Sequence, residues 1–174
     1  MRAPLDIMKL NKHCTLSGQL SELGASFGWT RSGGMQPHQG WDLEAKEGTS
    51  CYAISNGIIV YAMKDNQGSY GRCVLLQFNK SGGPKTTSAQ RDLFAFYAHL
   101  SRVFVNAGNS ITEGGIIGET GVSGNAANSP SPPHLHFEIR TVSTNYPKGQ
   151  TPLAHRLDPG EVLGYRYLTC TPAT

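Results

Sequence analysis

Pro132-Pro133-His134-Leu135-His136-Phe137-Glu138-Ile139-Arg140 alternates polar and apolar residues from His134 to Arg140. Successive side chains of a β-strand point to opposite faces, so His134, His136 and Glu138 share one face and Leu135, Phe137 and Ile139 the other. The run reads as a half-buried strand that presents two imidazoles side by side, which suits a metal site on the floor of a groove. A first partner lies far upstream in His38-Gln39-Gly40-Trp41-Asp42, behind the Gly- and Pro-containing loop 32–37. Four positions of extended chain span about 13 Å, so His38 and Asp42 can meet at one ion only if the backbone bends or long side chains converge, and Gly40 permits a bend. A second partner is His99, at the end of the apolar, aromatic run 93–100, which reads as another strand. Each has an ordinary explanation when taken alone. His38 could be solvated on a surface loop with Asp42 capping a turn, and His99 could be a partly buried histidine bonded to backbone. Their joint occurrence, each in a fitting local context, argues against all of these explanations holding at once.

Such a site needs a rigid frame, and the composition says which kind. Twenty-one glycines and ten prolines in 174 residues, with few long helical periods, indicate a turn-rich, all-β protein. The length suits one domain with a real core. Core strands are expected at 54–64, 72–79, 93–100, 116–119 and 135–140, the first two forming a hairpin through Asp65-Asn66-Gln67-Gly68. Residues 1–26 read as an irregular N-terminal extension. Loops 80–92 and 122–133 are long and flank the histidine-bearing strands, which makes them candidate walls for substrate. No stretch approaches the roughly 18 apolar residues that cross a membrane, and no nucleic-acid motif is present. The start lacks the apolar segment of a secretory leader. A net charge of +3 is a mild basic bias, compatible with an anionic polymer. Cys51 and Cys73 sit inside apolar runs, which leaves no context for a nucleophilic thiol, and no helix carries His-Glu-x-x-His.

The three histidine motifs, in this order, resemble those of the lysostaphin-type (LytM) zinc endopeptidases. The segments between them are similar too: the turn and strand of 48–62, the strand 71–78 and the Gly-punctuated turns of 108–121. The similarity runs from about residue 27 to about 159. It implies an all-β single domain with a central antiparallel sheet and a groove-lined zinc site, of the duplicated-hybrid-motif type. The chain then divides into an extension (1–26), a peptidase domain (27–160) and a C-terminal tail (161–174). The resemblance implies one Zn²⁺ per chain held by His38, Asp42 and His136, with His99 and His134 as catalytic groups. Two imidazoles and a carboxylate would leave the ion at a formal +1, electrophilic enough to acidify water. Glu138 either orients a ligand from behind or forms a surface salt bridge.

The implied function is cleavage of peptide crosslinks in bacterial peptidoglycan, with D,D-endopeptidase action preferred. The alternative is a catalytically inactive binding or activator module of the same fold. A cupin-like barrel could also carry His-x-His strands but fits the ordered segments poorly. Action would be in the periplasm or cell wall. Without a visible leader, the expected route is leaderless or specialised secretion of an antibacterial effector, whose partners would be a secretion apparatus and a cognate immunity protein. In so oxidising a compartment Cys14 and Cys170 are expected to pair, while Cys51 and Cys73 read as small buried apolar residues.

Overall fold

The computed structural model describes residues 1–14, 20–79, 92–128, 132–144 and 151–164. Seven strands carry the argument: β1 Trp41–Glu44, β2 Ser50–Tyr52, β3 Gly57–Met63, β4 Arg72–Asn79, β5 Asp92–Val103, β6 Ile116–Thr120 and β7 His134–Arg140. They form one antiparallel sheet organised around β5. As expected, β3 and β4 make a hairpin, with Gly57 opposite Phe78 and Met63 opposite Cys73. β5 pairs with β4 along one edge. Its other edge is shared, with residues 94–98 facing β7 and residues 100–103 facing β6, which leads on to β2. The outer edge of β7 takes β1 against residues 134–137 and the two-residue strand Arg156–Leu157 against Ile139 and Arg140. Ser110–Ile111 borders β3.

Alternation along the three central strands separates two faces. Val74, Leu76 and Phe78, Ala95 and Tyr97, and Leu135, Phe137 and Ile139 point into the main core with Trp41 and Leu43. Fully burying each of the larger apolar side chains contributes about 1.5–3 kcal/mol before the cost of ordering the chain. Cys73, Leu75, Phe96 and Ala98 form a smaller apolar layer on the opposite face, beside the polar side of β7. The expectation of a half-buried β7 is corrected here, since all seven of its residues are buried. Its polar side chains pack on one another and on Tyr70 instead of facing open water.

β5 also differs from its expected extent. It continues past His99 to Val103, and His99 has φ 62°, a left-handed conformation. Arg72 faces Leu100 while Val74 faces Tyr97, so β5 holds one more residue than β4 over this step. That is a bulge, which re-aims a side chain at a modest conformational cost.

The first eleven residues pack onto the sheet. Leu5 and Leu10 are buried in the main core. Leu10 bridges Leu43, the Asn11 amide donates to the Asp42 carbonyl at 2.8 Å, and the Glu44 amide donates to the Lys9 carbonyl at 2.8 Å. Near the other end, α1 (Pro159–Leu163) is capped by Asp158, which accepts from the Gly160 amide, and it buries Val162 and Leu163. The boundary drawn at residue 160 therefore falls inside a packed helix. No described helix is long and apolar enough to cross a membrane.

Candidate metal centre

His38 closes the short strand Gln36–His38, and Asp42 lies in β1 just past the turn at Gly40. The turn approaches β7 so closely that a Cβ on Gly40 would collide with the Phe137 carbonyl. Absence of a side chain, more than freedom to bend, is what the site requires at this position. His136 faces Asp42 directly across the β1–β7 pairing. His38 Nε2, Asp42 Oδ1 and His136 Nδ1 consequently converge, at 3.2 Å from His38 to each of the others and 2.8 Å between His136 and Asp42.

Hydrogen bonds behind the rings fix which nitrogens carry protons. His38 Nδ1 is 3.0 Å from the Ser26 carbonyl, which can only accept, so Nδ1–H donates and Nε2 turns its lone pair inward. His136 Nε2 is 2.9 Å from Glu138 Oε1, so Nε2–H donates to the carboxylate and Nδ1 faces the cluster. Arg31 donates to Asp42 Oδ2 at 2.6 Å, which leaves Oδ1 for the cluster. Tetrahedral ligands of a zinc ion, each about 2.0–2.1 Å from it, stand about 3.3–3.4 Å apart. The two spacings of 3.2 Å from His38 fall close to that value, and the 2.8 Å between His136 and Asp42 is shorter, a hydrogen-bond distance that an ion would open by roughly half an ångström. A proton can close only one of the three gaps, whereas a divalent cation can serve all three. These residues fit a metal ion.

The electrostatics follow from burial and pairing. Burial lowers the pKa of His38 against the opposing pull of Asp42. Burial opposes ionisation of Asp42, yet His38 and His136 hold its carboxyl well below the usual range. Burial likewise disfavours charge on His136, but hydrogen bonds to Asp42 and Glu138 raise it to about 9 without metal. Glu138 is fully buried and is kept ionised against desolvation by His136 and Arg140. Its carboxylate accepts from His136, from Tyr70 Oη at 3.1 Å and from Arg140 Nε at 2.7 Å, and Arg156 Nε lies 2.6 Å away. The reading of Glu138 as a surface salt bridge is thereby excluded.

His99 and His134 stand beside the cluster, with ring centroids 5.1 Å apart. His99 Nδ1–H donates to the Ser123 carbonyl at 2.9 Å and His134 Nδ1–H to the Pro132 carbonyl at 2.9 Å. In the neutral tautomer this arrangement leaves the Nε2 lone pair of each ring toward the cluster. His134 Nε2 is 3.8 Å from Asp42 Oδ1. Burial and the neighbouring imidazoles push His99 down to about 3, so it is neutral at pH 7. All five expected site residues line one open groove of about 1190 Å³, floored by Leu75, Phe94 and Phe96.

Of the expected groove walls, Asn125 and Ala126 line the cavity, whereas 80–91 and 129–131 lie outside the described residues. Cys170 and the side chain of Cys14 do too, and with them the expected disulfide. Cys51 and Cys73 are buried free thiols. Sequence reasoning missed Arg31, Tyr70 and Arg156. The alternation in β7 marks Glu138 and Arg140, but nothing local marks three residues that reach the site from the end of a four-residue strand, a loop and a two-residue strand.

An antiparallel sheet with an aspartate and two histidines converging in its groove defines a candidate metal-binding β protein. Residues 36–148 match peptidase family M23, and the chain belongs to that family. Lysostaphin of Staphylococcus simulans is 31% identical over 143 residues, 82% of this chain and 26% of that protein. Peptidoglycan DD-endopeptidase ShyA of Vibrio cholerae is 29% identical over 120 residues, 68% of this chain and 24% of that protein. The chain thus spans about a quarter of the length of these curated relatives. The solved catalytic domain of lysostaphin superposes with a TM-score of 0.57 at 29% identity, covering 81% of this chain and 90% of that one.

Proposed function

We propose that this protein is a zinc-dependent endopeptidase that hydrolyses peptide crosslinks of bacterial peptidoglycan, with D,D-endopeptidase action preferred. The observation that carries the reading is the convergence of His38 Nε2, Asp42 Oδ1 and His136 Nδ1 at ligand spacing, with two further imidazoles beside them. The relatives named above include an enzyme called a peptidoglycan DD-endopeptidase, which supports this substrate class. The catalytic unit is taken as residues 27–160.

In this reading His38, Asp42 and His136 hold the ion, which supplies a Lewis acid that polarises the scissile carbonyl and acidifies water. Arg31 occupies Asp42 Oδ2 and so keeps the carboxylate presenting a single oxygen. Glu138 fixes the tautomer and orientation of His136. His99 and His134 do the proton work. Each holds its own Nδ1–H on a backbone carbonyl, which in the neutral tautomer leaves the Nε2 lone pair for the groove. One takes the proton of the attacking water, and the protonated ring then gives it to the leaving amine. The remaining imidazole, held by its own Nδ1–H, orients the attacking water and the scissile peptide in the groove. The four histidines line one open groove, which is where a peptide substrate would lie.

The test is digestion of purified sacculi by zinc-loaded protein, with mass spectrometry of released fragments. Crosslinked dimers should be converted to monomers. His99→Ala and His134→Ala should keep zinc and lose activity roughly 10²–10⁴-fold, whereas His38→Ala, Asp42→Ala and His136→Ala should lose zinc as well. Intact sacculi after exposure to fully zinc-loaded wild type would leave a binding or activator module as the remaining reading.

A further inference from the structure

Arg140 has donors that the site described so far does not use. It shares the groove face of β7 with His136 and Glu138 and is 2% exposed. Nε–H donates to Glu138 Oε2 at 2.7 Å. Nη2 is buried with no hydrogen-bond partner among the described residues. A guanidinium has five N–H donors in a planar fork, and an unpaired buried donor is rare in a folded protein. The guanidinium carbon is 3.7 Å from the centroid of the Phe96 ring. Phe96 faces Glu138 across the sheet, so Arg140 leans back along β7 toward the metal centre. Its charged head therefore lies about 7 Å along the strand from His136, two residues of extended chain. Both Arg140 and Phe96 line the groove. The ring holds the guanidinium plane in place, and Glu138 fixes its Nε edge.

We propose that Arg140 is a specificity-determining residue that binds a free carboxylate on the substrate within two residues of the cleaved bond. The inference rests on the peptidoglycan reading and deepens it. A peptide bridge of neutral amino acids offers no such group. A crosslink made through diaminopimelate does, because the carbon that bears the leaving amine also bears a carboxylate. The planar fork and the fixed Nε edge suit recognition of a carboxylate oxygen pair. On this assignment the chain acts on walls crosslinked through an acidic diamino acid and selects against bridges, or amidated diamino acids, that lack the charge.

The experiment uses the zinc-loaded protein and two purified crosslinked muropeptide dimers. They are identical except that the leaving diaminopimelate carries a free carboxylate in one and a carboxamide in the other. Wild type should cleave the acid with kcat/KM about 10–100-fold above the amide, the range expected when a charge-assisted contact is lost. Arg140→Gln should bring that ratio to within about twofold of one, and Arg140→Lys should retain part of it. Harm that Arg140→Gln does through Glu138 affects both substrates alike and cancels in the ratio. A wild-type ratio near one, or an undiminished ratio in Arg140→Gln, would overturn the proposal. Equilibrium binding of both dimers to zinc-loaded His99→Ala separates this from the catalytic reading. Acid preference in binding without cleavage by wild type would sink the hydrolase and keep the subsite. Cleavage of both dimers at equal rates would do the reverse.

Discussion

Glu138 shows how much of this centre lies one bond behind the groups that touch metal. It accepts from His136 and Tyr70, pairs with Arg140 and Arg156, and is fully buried. Replacing Glu138 by Gln keeps the size but removes the charge that makes His136 Nδ1 a strong donor to metal. Zinc affinity should fall about 10–100-fold, the usual cost of losing such a supporting group. Competition against a chromophoric chelator measures this directly, and an unchanged affinity would show that His136 needs no help. At this scale the sequence was legible where alternation in one strand carried the information. His134, His136, Glu138 and Arg140 fall on one face as the pattern requires. What could not be read was which groups from elsewhere meet that face. Arg31 comes from the end of the short strand Gly28–Arg31, Tyr70 from a loop and Arg156 from a strand of two residues, and no local period marks them.

Among the elements, close backbone approaches decide whether the side chains can meet. Gly40 leaves no room for a Cβ against β7. Gly40→Ala must push β1 and β7 apart, so it should cost about 1–3 kcal/mol, as overpacking usually does, and it should weaken zinc binding in parallel. Thermal melts with and without zinc report both quantities. A second contact joins the 65–71 loop to the turn at Gly124, where added Cβ atoms on Gly71 or Gly124 would meet backbone of the other loop. The Asn125 amide donates to the Ser69 carbonyl at 2.9 Å, and the Arg72 amide to Ser123 Oγ at 2.9 Å. That lock holds the Ser123 carbonyl that orients His99. Gly124→Ala should therefore lower activity at least tenfold while zinc content stays near one per chain, since a mis-set proton-transfer group costs rate and not metal. Loss of zinc would instead mean that the lock supports the ligands. The β3–β4 hairpin was legible because its turn residues lie between two apolar runs. The bulge at His99 was not, since it depends on how β4 and β6 pair with β5 on either side.

The whole molecule couples this polar cluster to its stability, first through pH. In the metal-free protein burial drives His99 to about 3, so its contribution is present above its ordinary 6.5 and is lost as pH falls toward 3. Asp42 and Glu138, both held low, act with the same sign at lower pH. His136 acts oppositely. Hydrogen bonds to Asp42 and Glu138 outweigh its burial and raise it to about 9, so its contribution is full below 6.5 and lost as pH rises through 9. Chelated protein should melt at its highest temperature near pH 6.5 and lower on both sides. Zinc should remove the alkaline decline by taking the place of the His136 proton. A flat profile in scanning fluorimetry would separate the cluster from stability.

The second coupling runs through the N-terminal residues, which precede the segment that matches the family. β1 carries Asp42 and has β7 on one side only. Its other side is completed by Lys9 to Asn11, through the Asn11 amide to Asp42 and the Glu44 amide to Lys9, with Leu10 in the core beneath. Composition alone suggested an irregular extension here, because the segment has turn residues and no period of its own. Its structure comes from the strand it lies against. Leu10→Ala should cost about 2–5 kcal/mol, as removal of a buried leucine does. The loss should reach the metal, because the segment that relaxes borders the strand bearing a ligand. Removal of residues 1–11 should go further, exposing the outer edge of β1 and lowering zinc affinity as well as stability. Zinc affinity measured well below the melting temperature separates the two effects. If the truncated chain binds zinc as tightly as the full one, the N-terminal residues serve only the core, and Asp42 is positioned by β7 alone.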